Sequence, residues 1–242
     1  MYAPSLLLVL FGTLVSAQEP STLLYEPTFH NRYVSVFSLE LPSLRQAPIH
    51  QAPDDLVWIA LDTSRIEVKH SDGVVQELYL RNGDVRLFRR WDVVSVTNLS
   101  TEPIHSVVVD LRLTGLISGG CTCTAGVEKS ICGCNTAHLS EFWAEVIGNL
   151  TMAGATLGPE QTFLAETNRD DTLLVTLTPA HLQHQFILGE QSEWVLTQPR
   201  EENLKPGEVI WMPRGKHRLR NIGRRKARYI TVEFSPRPGS TD

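Results

Sequence analysis

Apolar residues along this chain fall in runs of about four to eight, set apart by Gly, Pro, Asn and Asp, and no stretch sustains the 3.6-residue period of an amphipathic helix. Residues 55–61 (DLVWIAL), 105–113 (HSVVVDLRL) and 229–234 (YITVEF) show the type: short, rich in β-branched side chains, and bounded by turn formers. The pattern predicts strands throughout. Many short strands at regular spacing indicate a sandwich, jelly roll or barrel.

The pattern also repeats. Residues 41–61 (LPSLRQAPIHQAPDDLVWIAL) and 157–177 (LGPEQTFLAETNRDDTLLVTL) share the leading Leu, an Asp-Asp pair and an apolar run ending in Leu, at an offset of 116. Further on, NGDVRLFRRWDVVSVTN, ending at Asn98, matches PGEVIWMPRGKHRLRN, ending at Asn221, at an offset of 123 with a one-residue gap after the Gly. Eight extra residues fall between the two matches, in the region of the second copy's QHQFILGEQSEWVLTQPREE, and the later gap leaves a net seven. Two tandem β units of about 90 residues, each with its own core, follow from this arithmetic.

Within the repeat, Gly207, Pro213, Gly215, His217 and Asn221 follow the form G-x5-P-x-G-x2-H-x3-N, with one residue missing before the His. The chain in this respect resembles the cupin superfamily, and specifically a secreted two-domain bicupin. The resemblance covers residues 24–113 and 140–235, and it implies an all-β fold of two jelly-roll (double-stranded β-helix) barrels. The expected organisation is a signal peptide (1–17), a degenerate first barrel (18–113), a Cys-rich linker (114–139), a second barrel (140–235) and a short tail (236–242).

In the family's other motif, G-x5-H-x-H-x3-4-E-x6-G, two imidazoles at i and i+2 share one strand face and point into the barrel, where a carboxylate and a third His complete a transition-metal site. Here the first copy keeps His50 but has Ala52 at the second ligand position and Val94 where the third His belongs, and it lacks a counterpart of Pro213. One imidazole of three cannot hold such a metal. The second copy has Glu166 and Asn168 in place of H-x-H and keeps His217. Three readings follow for Glu166, Asn168 and His217: a weak divalent-metal site, a barrel-interior imidazole satisfied by Glu166, or a Glu166–His217 acid–base dyad.

Two functions are therefore carried forward. The favoured one is a secreted, non-catalytic or metal-depleted binding or structural module, with no cofactor expected. Its ligand-binding candidates are Glu166, Asn168, His217 and Asn221, facing a small polar ligand. The alternative is a metal-dependent cupin enzyme, an oxygenase or isomerase, acting in the C-terminal barrel with Glu166 and His217 as candidate catalytic groups.

Other residues read more plainly. Asp55 and Asp171 precede equivalent strands and are expected to cap turns. His181 and His184, spaced i, i+3, do not share a strand face and read as loop or rim residues; Trp194 and Trp211 read as packing rather than pocket lining. The sequences Asn98-Leu99-Ser100 and Asn149-Leu150-Thr151 have the form of glycosylation sites.

Composition adds compartment and partners. With 242 residues, 42% hydrophobic and 20% charged, and a mean hydropathy of -0.11, the chain is a globular protein rather than a disordered or multi-span one. The net charge of -5 argues against nucleic acid, although nine of the 22 basic residues lie in 205–228 beside one acid, Glu208. Within that run Lys216, Arg218 and Arg220 are expected to form an outward cationic stripe, read as a solvated edge or as a surface for an anionic partner. Residues 6–14 form an apolar run followed by Val15-Ser16-Ala17, a signal-peptide pattern too short for the roughly 20 residues that span a bilayer. Secretion or periplasmic delivery without stable membrane insertion follows; the absence of Lys and Arg ahead of the run leaves a buried N-terminal strand or a misplaced start as rivals. Cys121, Cys123, Cys132 and Cys134 form two C-x-C units in the linker, where two disulfides between units compete with a four-thiolate zinc site. Homo-oligomers are compatible with all of this.

Overall fold

The computed structural model describes residues 25–49, 55–89, 92–112, 121–123, 142–147, 150–164, 170–188 and 195–235, and none of them is helical. The first half contributes β1 (Tyr25–His30), β2 (Val34–Leu41), β3 (Gln46–Pro48), β4 (Asp55–Ala60), β5 (Ser64–His70), β6 (Val75–Leu80), β7 (Val85–Phe88), β8 (Val93–Asn98) and β9 (Ile104–Leu111). Next come β10 (Cys121–Cys123), β11 (Phe142–Ile147), β12 (Leu150–Leu157), β13 (Thr162–Leu164), β14 (Asp171–Thr176) and β15 (Ala180–Leu188). The chain closes on β16 (Val195–Leu196), β17 (Arg200–Leu204), β18 (Val209–Met212), β19 (Lys216–Asn221) and β20 (Ala227–Phe234).

Each half folds as two antiparallel sheets. The first half has β1-β2-β9-β4-β7 opposite β3-β8-β5-β6; the second has β10-β11-β12-β20-β14-β18 opposite β13-β19-β15-β16, with β17 also paired to β15. No sheet mixes β1–β9 with β10–β20, so the two jelly-roll units predicted from the repeat are present. The offsets are structural: β2, β3 and β4 recur as β12, β13 and β14 after 116 residues, and β8 and β9 as β19 and β20 after 123. The extra residues of the second copy supply a longer β15 and the added β16. The Cys segment is more than a connector, because β10 pairs with β11 at the edge of the second unit's larger sheet. Cys132 and Cys134 lie outside the described residues.

Period-two alternation sorts the side chains into three cores. On β4, Leu56, Trp58 and Ala60 fill the first barrel, while Val57 and Ile59 point the other way. Those two join a cluster of 16 buried residues, eight from each half, in which Val34, Val36, Val107 and Val109 meet Met152, Leu173, Val175 and Val232. Each unit has its own core, as expected, and a third cluster, the largest among the described residues, lies between the units, where the two larger sheets pack face to face. Trp211 belongs to this layer, stacked on Phe29 at 5.7 Å and Tyr33 at 5.6 Å, as its packing reading required.

The contact is reciprocal. Gly83, at φ 92°, turns tightly against Leu177, and its repeat counterpart Gly207, at φ 85°, turns against Leu61, the counterpart of Leu177. A Cβ on either glycine would fall 2.9 Å or 2.8 Å from the facing leucine methyl, besides the strain of the left-handed backbone. Arg228 adds a polar clasp, donating from Nη1 to Asn82 Oδ1 at 2.9 Å across the same boundary.

Candidate functional site

The strands of the second barrel's smaller sheet bring together two imidazoles. On β19, His217, Leu219 and Asn221 are buried while Lys216, Arg218 and Arg220 are half-buried on the other face, which matches the predicted alternation. Antiparallel pairing sets Phe186 opposite His217 and His184 opposite Leu219. His184 and His217 are then 7% and 3% exposed, with His184 Nε2 2.9 Å from His217 Nδ1. The Phe186 ring covers both, 5.4 Å from the His184 ring and 4.6 Å from that of His217.

The rim or loop reading of His184 is therefore corrected. It lies in the middle of β15, inside the barrel, while His181 on the opposite face is paired with Glu201 at 3.6 Å. The residue missed from sequence had one available signal: at the 116 offset His184 falls on Val68, an interior position that is fully buried.

Protons in the pair are fixed by a carbonyl. His217 Nε2 lies 2.7 Å from Pro213 O, which can only accept, so Nε2 carries the hydrogen. In the neutral pair, Nδ1 of His217 is the acceptor and His184 donates to it from Nε2. Burial, the His217 ring and Arg200, in that order, push the His184 pKa down from 6.5 to about 4, so His184 is neutral at physiological pH.

The turn that presents Pro213 O is itself held. Gly215, at φ 151°, takes a backbone conformation that L side chains rarely adopt, and Arg214 N donates to Asp171 Oδ1 at 3.0 Å. Asp171 thus caps a turn, as expected, though the turn belongs to the strand across the sheet. Burial, and after it the Asp171 carboxylate, raise the pKa of the Tyr33 phenol of the first unit.

The second unit's site does not fit a transition metal through His217. Its Nε2 lone pair is replaced by the proton given to Pro213 O, and its Nδ1 faces His184. Among the described residues no three His, Cys, Asp or Glu side chains converge on a point. Glu166, Asn168 and His50 lie outside the described residues, as does Trp194.

Asn221, the fourth candidate, sits at the far end of β19. Its Nδ2 donates to Leu157 O at 2.9 Å and Arg225 O at 2.7 Å, and its Oδ1 accepts from Gly223 N at 2.9 Å. Asn98 makes the same three bonds in the first unit, to Leu41 O and Glu102 O and from Ser100 N. Both asparagines clamp the hairpin that leads into the next strand. Asn98 is fully buried, so its sequon is a structural element; Asn149 lies outside the described residues.

Among the described residues the first barrel has no counterpart of the imidazole pair, and its interior cluster numbers 15 buried apolar residues against seven described in the second barrel. Trp58 occupies the place of Leu174, T-stacked on Phe88 at 6.1 Å.

No protein-family model matches the sequence, and no curated protein matches it. Solved structures do match the fold. The protein AerE from Microcystis aeruginosa superposes with a TM-score of 0.55 at 13% identity, over 88% of this chain and 98% of that one. Oxalate decarboxylase of Bacillus subtilis, a protein with Mn(II) centres, gives 0.55 at 11% identity over 86% and 71%. Vicilin from Solanum melongena, described with anionic ligands in structurally similar pockets, gives 0.59 at 10% identity over 88% and 80%. These neighbours include an enzyme and a storage protein on one architecture, and with the paired sheets, the internal repeat and the Gly207–Asn221 motif they show that this chain has the fold of a cupin-superfamily bicupin.

Proposed function

We propose that the protein is a secreted bicupin that acts as a binding or structural module without a catalytic metal, with barrels spanning 18–113 and 140–235. The observation that carries this reading is the closure of the hydrogen-bond chain His184–His217–Pro213 O, which commits both ring nitrogens of His217 within the protein. The first barrel, filled around Trp58, serves as scaffold. The second, with fewer apolar residues inside among those described, is the place for a small polar ligand, which Glu166 and Asn168 would hold while His217 lines the pocket with its ring rather than with a free nitrogen. Asn221, although a ligand-binding candidate, acts at the other end of β19, where it holds the β19–β20 hairpin. Delivery out of the cytoplasm rests on residues 1–17 and on the two C-x-C units, which we read as two disulfides.

Elemental analysis of protein purified without chelator tests the reading. Substoichiometric Fe, Mn, Ni and Zn is expected, unchanged in His217→Ala and Glu166→Ala. One equivalent of metal lost in either variant, with the cysteines intact, would overturn this reading in favour of a metal-dependent cupin enzyme.

A further inference from the structure

At the end of the second barrel remote from His217, the β14–β15, β17–β18 and β19–β20 turns border a shallow groove of about 420 Å³, open to solvent. Pro179, Ala180 and Leu204 form its apolar floor, and Lys205, Arg224 and Arg225, all exposed, form a cationic rim. Nearby acids are engaged: Glu201 faces His181 at 3.6 Å, Glu208 Oε2 accepts from Lys205 N at 2.7 Å, and Glu202 pairs with Arg200 at 2.5 Å.

The first unit supplies an internal control. Its Ser64–Leu80 and Arg65–Tyr79 pairs are the counterparts of Ala180–Leu204 and His181–Asn203, and the Asn98 and Asn221 clamps superimpose the following turns residue for residue. There the turn reads Ser100-Thr101-Glu102, against Gly223-Arg224-Arg225 in the second unit. Two cations have replaced a neutral residue and an acid. In the same place, Arg65 N donates to the Ser100 hydroxyl at 2.9 Å. His181 N points the same way, because His181 O accepts from Ile222 N at 2.9 Å and the N–H and C=O of one strand residue share a side. It meets Gly223, which has no side chain to accept the bond; a Cβ built there would lie 3.1 Å from Asn221 Oδ1, 3.3 Å from His181 Cβ and 3.5 Å from His181 N.

We infer that this groove binds a small oxyanion carried on an apolar body, a carboxylate or phosphate ester of aromatic or aliphatic type. The head lies among Lys205, Arg224 and Arg225 and accepts from His181 N–H, and the body rests on Pro179, Ala180 and Leu204. The site is independent of the His184–His217 pair, which occupies the other end of the barrel.

Calorimetric titration at low ionic strength with phenyl phosphate, inorganic phosphate and benzyl alcohol tests it. Phenyl phosphate is expected to bind tightest, because it alone offers both charge and an apolar face. The double variant Arg224→Gln/Arg225→Gln should weaken it by about tenfold or more. Gly223→Ser, which restores the first unit's hydroxyl, should weaken it several-fold, and Arg218→Gln on the flat of β19 should leave it unchanged. Equal affinity for inorganic phosphate, an equal loss in Arg218→Gln, or no binding by folded wild-type protein would each overturn the inference.

Discussion

Burying an imidazole next to a second one makes the fold sensitive to acid at a single residue. In the folded protein His184 titrates near 4 rather than 6.5, chiefly because burial penalises its charged form. Between those two values the unfolded chain binds more protons than the folded one. The stabilisation from keeping His184 neutral is therefore complete above about 6.5, declines as the pH falls, and is gone below about 4. Denaturant midpoints compared at pH 7 and pH 4.5 should show a loss of about 2 kcal/mol attributable to this group, after allowance for solvent screening. His184→Gln keeps a donor for His217 Nδ1 but cannot titrate, so its stability should decline less over the same window. An equal decline in both proteins would remove His184 from the explanation.

Between residue and fold stands the hairpin, and here the two asparagines carry more than the sequence motif suggested. The motif placed Asn221 with the site residues, yet its amide serves the backbone of β12 and of the 222–226 turn, as that of Asn98 does in the first unit. Asn98→Asp or Asn221→Asp removes two buried donors at once and should destabilise by about 2–4 kcal/mol, read by urea unfolding; a change under about 0.5 kcal/mol would show that the clamp is dispensable. Strand positions were legible because alternation and turn residues are local properties: β4, β9, β14 and β20 lie where short apolar runs predict them. The His217 face was legible for the same reason. The loop reading of His184 failed because QHQFIL has polar residues on both strand faces. Gln185 is buried under β16, where its Nε2 donates to Thr197 O at 2.9 Å, so polarity there did not mean solvent. A strand added by insertion in one copy is tertiary information, and the repeat alone does not show what it covers.

Taken whole, the molecule is an internal pseudo-dimer whose shared layer is, among the described residues, as large as the first barrel's interior and larger than the second's. Thermal unfolding should thus be a single calorimetric transition; two resolved transitions would show that the units are independent. Gly207→Ala should destabilise by about 1–3 kcal/mol by setting a Cβ into Leu61 from a left-handed backbone, and should lower the stability of both units together. The shared layer also imposes an order of events on synthesis. When a ribosome has finished β9, the valines at 34, 36, 57, 107 and 109 form one face of a sheet whose cover has not yet been made. At ordinary elongation rates the missing strands need on the order of ten seconds more. A chain that stops there carries that bare apolar face into solvent, a patch of the kind that drives association.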